Sequence, residues 1–280
     1  MDELTLLRLL LLFAMAVAPL GTHRGLLPEH ARLRATAHAL AWSCAAIGLL
    51  GGVPALCGVW LLFCAGSFAL LLHARREALL RPGAATPAAL AACVPFLFSN
   101  VAAVWLVAGA NDLRLLGYAE IFSDYAALHG NVLGWMMVGA IAILAQQSGP
   151  EQRVYLASVL VCLVSFLAVA FGIDRFHALK PLGVLGLSVA LPAALLVFLR
   201  RAAGRDRVAF TLGAVSLGGL ALTLALAWIN HLALLALPAI EGVRAMVVIH
   251  GVLNTFVVAP AFLAAAVLGA PAAETTSAPA

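Results

Sequence analysis

The chain has 280 residues, of which 64% are hydrophobic and only 10% are charged, and its mean hydropathy is +1.08. Soluble domains carry about 25% charged residues, so the composition excludes a soluble protein and predicts an all-α polytopic transmembrane bundle. The formal net charge of +4 does not indicate nucleic acid, because the basic residues lie in short clusters between apolar runs, as they do in membrane proteins. The expected partner is the lipid bilayer.

Apolar runs of membrane-spanning length predict about nine spans in a single domain, residues 1–270. In chain order we place them at about residues 1–21, 35–50, 55–73, 87–108, 122–145, 154–172, 182–199, 208–234 and 243–268. The first run lacks the basic start of a secretory signal, so we expect a retained helix. The tail, residues 271–280, has no core-forming side chains, and we expect it to be disordered.

The basic residues predict an orientation for the nine spans. The connections after the first, third, fifth and seventh spans hold 11 of the 16 Lys and Arg residues, and the other side holds the remaining 5. Cytoplasmic loops are enriched in Lys and Arg. We therefore expect a multi-pass protein of the bacterial inner (plasma) membrane, with the N-terminus outside and the C-terminus in the cytoplasm.

Two predicted spans contain a histidine followed by a glycine. The fifth span includes Asp124-Tyr-Ala-Ala-Leu-His-Gly-Asn-Val-Leu-Gly-Trp135, and the ninth includes Val248-Ile-His-Gly-Val-Leu-Asn-Thr-Phe256. Ionisable groups at membrane depth are costly and usually functional. Both spans enter from the outside, which places His129 and His250 roughly 10 Å deep at about 1.5 Å per residue.

Other polar side chains are expected in the same outer half of the bundle. They are Asn100, Asp124, Asn131, Asn230, His231 and Asn254. The inner half is expected to be nearly pure hydrocarbon apart from His38 and His73, with His23 in a solvated loop. Asp124 and His129, five residues apart, point about 140° apart around a helix and are not expected to touch.

The two His-Gly pairs suggest an internal repeat. They are 121 residues and four spans apart, and four spans preserve direction, so the repeat would be parallel, around an axis along the membrane normal. Such an axis would bring His129 and His250 face to face.

The first functional interpretation is a haem or transition-metal site with His129 and His250 as ligands. Neutral imidazole is the commonest metal ligand, and helical bundles build cofactor sites from inward side chains. Asn100, Asn131, Asn230, His231 and Asn254 would complete the surroundings of the cofactor. The competing interpretation is that each histidine hydrogen-bonds across a helix interface, as polar residues in bundles do.

The second interpretation is an intramembrane acid–base enzyme, an isomerase or cyclase acting on a lipid-like substrate. Asp124 would be the proton donor, with His129 or His250 as the partner base. Against it stands the interpretation that Asp124 caps the fifth helix, because Asp is a favoured N-cap residue. A third interpretation is a transporter, which the apolar inner half disfavours. A hydrophobic small molecule is a further expected partner beside the lipid bilayer.

Two local resemblances follow from these motifs. The segment Met246-Val-Val-Ile-His-Gly-Val-Leu-Asn-Thr-Phe256 resembles the His-Gly-x-x-Asn segment of the YndJ-like family of bacterial membrane proteins, although that family's mid-chain His-Phe-His is missing here. The segment His129-Gly-Asn-Val-Leu-Gly-Trp135 is similar to one in small membrane proteins related to haem–copper oxidase subunit I. The second resemblance implies a haem-side role for His129, and Ala127 stands where those proteins have another histidine.

Overall fold

The computed structural model describes residues 2–27, 31–147, 149–174, 176–232, 234–235, 238–240 and 242–269. Within those residues, nine helices are long and apolar enough to cross a membrane. The prediction of an all-α polytopic transmembrane bundle is therefore confirmed. The tail predicted to be disordered lies outside the described residues.

The nine helices follow one another with short connections. They are α1 (Glu3–Leu26), α2 (Ala31–Leu50), α3 (Cys57–Leu80), α4 (Thr86–Ala110), α5 (Glu120–Leu144), α6 (Gln152–Asp174), α7 (Leu179–Ala202), α8 (Arg207–His231) and α9 (Val247–Gly269). A two-stranded antiparallel hairpin precedes α9, formed by β1 (Ala239–Ile240) and β2 (Val243–Arg244). Two helices begin at a capping aspartate: Asp2 accepts from the Thr5 amide at 2.7 Å and Asp206 from the Ala209 amide at 3.0 Å.

Helix α5 is the centre of the bundle. In its most apolar stretch 89% of the residues are buried, whereas the other spans have 22 to 56%. It contacts α1, α4, α6 and α9. Most side chains on this helix are therefore enclosed by protein, and His129 is an exposed exception.

Small residues allow α5 to approach α4 closely. A Cβ on Gly134 would lie 2.2 Å from Phe98 Cγ, and one on Gly130 would lie 2.7 Å from the Cβ of Ala102. Two glycines four residues apart thus face two α4 residues four apart, the small-xxx-small packing typical of membrane helices. The glycine after His129 serves this helix contact.

The two helices that carry a His-Gly pair, α5 and α9, both contain π-helical turns there. In α5 the π-helix runs from Gly130 to Met137, and in α9 it comprises Val247–Gly251 and Asn254–Val258. Such turns are rare and occur frequently at functional sites, where they shift the angular position of the side chains that follow. The two helices therefore share an irregularity that a regular 3.6-residue period does not anticipate.

The half of the bundle that contains the end of α1 and the start of α2 is more polar than expected. Because α1 continues past the end of its apolar run, His23 is helical and only 6% exposed, and its ring stacks on Phe96 at 5.6 Å between centroids. Arg34 is equally buried and donates to the His23 carbonyl at 3.4 Å, while His38 Nε2 donates to the Met15 carbonyl at 3.0 Å. The expectation of a solvated His23 is wrong, and the buried Arg34 is a polar group beyond His38 and His73, the two exceptions expected in that half.

Candidate functional site

Asp124 is buried in the first turns of α5, where it pairs with an arginine of α1. Arg8 Nε donates to Asp124 Oδ2 at 3.3 Å, and its Nη2 binds Glu120. The third guanidinium nitrogen donates to the Leu49 carbonyl at 3.3 Å. The N-cap of α5 is Ala119, so the interpretation of Asp124 as a helix cap is wrong. Its carboxylate holds a cation from another helix.

The second oxygen of Asp124 is less well satisfied. Oδ1 has no hydrogen-bond partner among the described residues, and neither has the neighbouring Ser123 hydroxyl. Both lie against Gly109 of α4, where a Cβ would come within 2.8 Å of Oδ1 and 3.1 Å of the Ser123 Cβ. A buried carboxylate with one free oxygen has the hydrogen-bonding capacity for a further donor.

A second charged group joins the starts of α1, α5 and α9. Arg244 Nε donates to Glu3 Oε2 at 3.1 Å, and its Nη2 donates to the Tyr125 hydroxyl at 2.9 Å. That hydroxyl donates in turn to Glu3 Oε1 at 2.6 Å. The hydrogen bonds to Glu3 raise the pKa of Arg244 above its ordinary value. The three side chains therefore fix the relative positions of three helix starts.

His129 and His250 each donate a hydrogen bond from Nδ1 to a backbone carbonyl. His129 Nδ1 donates to the Tyr125 carbonyl at 2.8 Å, one turn earlier in α5. His250 Nδ1 donates across to the Thr223 carbonyl of α8 at 3.2 Å. A carbonyl can only accept, so the proton of each neutral ring is on Nδ1 and the lone pair is on Nε2.

The asparagines near the two histidines are anchored to their own helices. Asn131 is almost completely buried and donates to the Ala127 carbonyl at 2.9 Å, with no partner for its Oδ1 among the described residues. Asn254 donates to the His250 carbonyl at 2.9 Å, and its Oδ1 accepts from the Thr223 hydroxyl at 3.2 Å. Thr223 thus binds both His250 and Asn254 of α9.

Three of the predicted site residues have contacts elsewhere. Asn100 faces α3, where it donates to the Cys64 carbonyl at 3.3 Å. Asn230 is exposed, and His231 packs edge-on against Trp228 of its own helix at 5.9 Å. None of the three has a contact with the paired histidines within the described part of the chain. The prediction that they surround one cofactor has no support from these contacts.

A comparison with protein families identifies the chain. The model of the family described as YndJ-like protein matches residues 8–258. The chain belongs to the YndJ-like family. No curated protein and no solved structure matches it. The family match spans both His-Gly pairs and the Arg8–Asp124 pair, so all of these residues belong to the part that this YndJ-like chain shares with its family.

Sequence reasoning missed the partners of the acidic residues in this YndJ-like protein. Arg8 and Arg244 enter the sequence prediction only as two of the 16 basic residues, and Glu3 and Glu120 carry no prediction. The signal is a lone arginine inside the first apolar run and two acids near the start of the fifth. A charge in a membrane helix requires a partner, and these acids are of the opposite charge.

The two histidines of this YndJ-like protein, His129 and His250, suit haem better than a metal ion that needs four protein ligands. Within the described residues, no three or more His, Cys, Asp or Glu side chains are grouped closely enough to hold a metal ion. A structural zinc site takes four protein ligands. Haem needs only one or two axial ligands from the protein, because the porphyrin supplies the rest. Two imidazoles with free Nε2 atoms therefore fit haem and do not fit a four-ligand ion site.

Proposed function

We propose that this protein is a haem-binding integral membrane protein, in which His129 and His250 would hold the haem. The observation that supports it is the shared arrangement of the two rings, each of which donates Nδ1–H to a backbone carbonyl. Histidines that bind metals almost always direct their other ring nitrogen to such an acceptor, which fixes the tautomer and the ring orientation. The Nε2 lone pairs remain available for iron.

The surroundings of the two histidines support the same proposal. His129 is exposed and His250 half-buried, so neither imidazole is fully enclosed by the bundle. Haem supplies one-electron chemistry when it is bound, and its potential is set by axial ligands and nearby hydrogen bonds. The role of the protein would be to hold both rings through Tyr125 and Thr223. The ligand in this proposal is the porphyrin, with a hydrophobic small molecule as a further partner.

The proposed location of the protein is the bacterial plasma membrane. The excess of Lys and Arg on one side, 11 of 16, supports insertion into a bacterial plasma membrane with the N-terminus outside. The starts of α1, α5 and α9 would then face outward. In that orientation the haem would lie in the outer half of the bundle.

The absorption spectrum of the purified protein tests the haem proposal. Cells supplied with haem should yield detergent-purified protein with a Soret band, and the band should be lost or strongly reduced in His129→Ala and in His250→Ala. His231→Ala is the matched control, because that histidine is also near a helix end and has no contact with the pair; its spectrum should be unchanged. Colourless wild-type protein, or a Soret band that survives the double His129→Ala/His250→Ala variant, would overturn the proposal.

The second candidate is an intramembrane acid–base enzyme that uses Asp124. One observation favours it: this carboxylate is fully buried and has a free Oδ1 beside its Arg8 contact. If the wild-type protein is colourless, lipid extracts of expressing cells should contain a product that is absent with Asp124→Asn. Identical extracts from the two strains, with both proteins folded, would exclude this function.

A further inference from the structure

A cleft opens at the ends of α6, α7 and α8 that lie opposite the charged groups described above. Its volume is about 660 Å³, within the range of ligand sites. Two connections and the end of α7 form it, and the side chains that matter are Glu151, Val197, Arg200, Arg201 and Arg205. A smaller cleft of about 250 Å³ adjoins it at Ala203 and includes Arg207 and Phe210.

The cleft has a strong excess of positive charge. Three arginines line it against a single carboxylate, Glu151. The nearby Asp206 is engaged as the cap of α8. Within the residues that the structure describes, none of the guanidinium groups of Arg200, Arg201 and Arg205 has a hydrogen bond or a salt bridge. Planar guanidinium groups bind phosphate in a bidentate manner and are the residues of choice for it.

The backbone of the two connections is shaped to leave the cleft open. Gly149 has a φ of 138° and Gly204 one of 75°, conformations that residues with a Cβ rarely adopt. A side chain on Gly149 would also approach Glu151, because its Cβ would lie 3.1 Å from Oε2. Glycine at these two positions lets the connections turn sharply without filling the space before the arginines.

Buried polar groups next to the cleft have unused hydrogen-bonding capacity. Tyr155 lies one helical turn after Glu151, is 1% exposed, and its hydroxyl has no partner among the described residues. Gln147, two residues before Gly149, is buried, and neither its amide nitrogen nor its amide oxygen has a partner in the described part. Unsatisfied buried polar groups are rare and need an explanation.

The apolar residues beside the cleft indicate what carries the phosphate. Leu196 on α7 and Phe210 on α8 are exposed large hydrophobic side chains close in sequence to the arginines, and Phe210 lines the smaller cleft. A ligand with acyl chains can lie on these residues while its headgroup enters the cleft. This end also has the most basic connection, residues 200–207, which the charge distribution assigns to the cytoplasmic side, where anionic lipids are abundant.

We propose that this cleft binds the phosphate headgroup of an anionic phospholipid, with Arg200, Arg201 and Arg205 as the phosphate ligands. The site is independent of the two histidines and of any haem. Its occupant would tie the connection between α5 and α6 to that between α7 and α8. Basic pockets between membrane helices are known to bind such headgroups.

Lipid titration of the purified full-length protein tests the site. Binding of phosphatidylglycerol, measured by native mass spectrometry, should weaken at least tenfold in Arg200→Gln/Arg201→Gln/Arg205→Gln. The matched control is Arg32→Gln/Arg76→Gln/Arg81→Gln, which removes three exposed arginines at or next to helix ends on the same side of the bundle. Its binding should change less than twofold, and phosphatidylcholine should bind neither protein tightly.

Two results would overturn the proposal. Equal weakening in both triple variants would mean that diffuse charge, not the cleft, attracts the lipid. Displacement of the lipid by inorganic phosphate at equimolar concentration would mean that the cleft is a free-phosphate site. If the first triple variant does not fold, Arg205→Glu replaces it, because this exposed side chain lies in a connection and its reversal should weaken phosphatidylglycerol binding at least as strongly.

Discussion

The Arg8–Asp124 pair allows a sharp test of how the bundle tolerates charge. Asp124 is fully buried, whereas Glu120 is 40% exposed and can turn towards water. In Arg8→Met the buried carboxylate loses its cation, and breaking a buried pair from one side typically costs about 3–5 kcal/mol. In Asp124→Asn the arginine keeps Glu120, so the loss is that of one hydrogen bond to a charged group, about 1.5–3 kcal/mol.

The double variant Arg8→Met/Asp124→Asn distinguishes the two effects. It removes the buried charge together with its partner, so it should be more stable than Arg8→Met alone. Thermal unfolding in detergent, monitored by tryptophan fluorescence, measures the difference. At about 2–4 °C per kcal/mol for a chain of this size, we expect Arg8→Met to lower the unfolding temperature by roughly 10 °C and the double variant to recover part of it. A double variant that unfolds below Arg8→Met would refute the reasoning.

Two further predictions use the same assay. Gly134→Ala places a methyl group 2.2 Å from the root of an α4 phenylalanine ring and should cost about 1–3 kcal/mol by overpacking; Gly66→Ala, where nothing lies within 4 Å, should be neutral or stabilising. Thr223→Val removes the hydroxyl that reaches Asn254 and should cost about 1 kcal/mol, whereas Thr255→Val removes a buried hydroxyl with no partner among the described residues and should not destabilise. Equal effects within either pair would contradict the contacts.

The fold could be predicted from the sequence because it depends on composition and periodicity. Runs of about 20 apolar residues must form helices in a bilayer, where each backbone polar group needs an internal partner. The ends of the helices were harder to predict. Helix α3 runs on to Leu80, beyond its predicted end near residue 73, because the residues after the apolar run form helix as well outside the hydrocarbon as inside it. The same effect placed His23 inside α1.

Only part of the candidate site could be predicted from the sequence, for a different physical reason. Position within a span predicted which polar groups lie at membrane depth, but not which of them meet, because tertiary packing decides that. Asn100 shares the depth of the histidines and faces α3 instead. The structure also has π-helical turns at Gly130–Met137 and Val247–Gly251. Each turn adds an angular shift that the sequence pattern does not encode. Side-chain directions calculated from 3.6 residues per turn are therefore wrong beyond these turns.

Tyr125 connects the charged residues to the candidate cofactor site. Its hydroxyl is held by Glu3 and Arg244, and its carbonyl holds the ring of His129. Because a single residue makes both sets of contacts, the first turns of α5 cannot rotate without moving that imidazole. The same argument applies to α9, where His250 is fixed by Thr223 of α8. The ion pair between Glu3 and Arg244 therefore positions His129 through Tyr125. Glu3 and Arg244 are thus positioning residues for a ligand of His129.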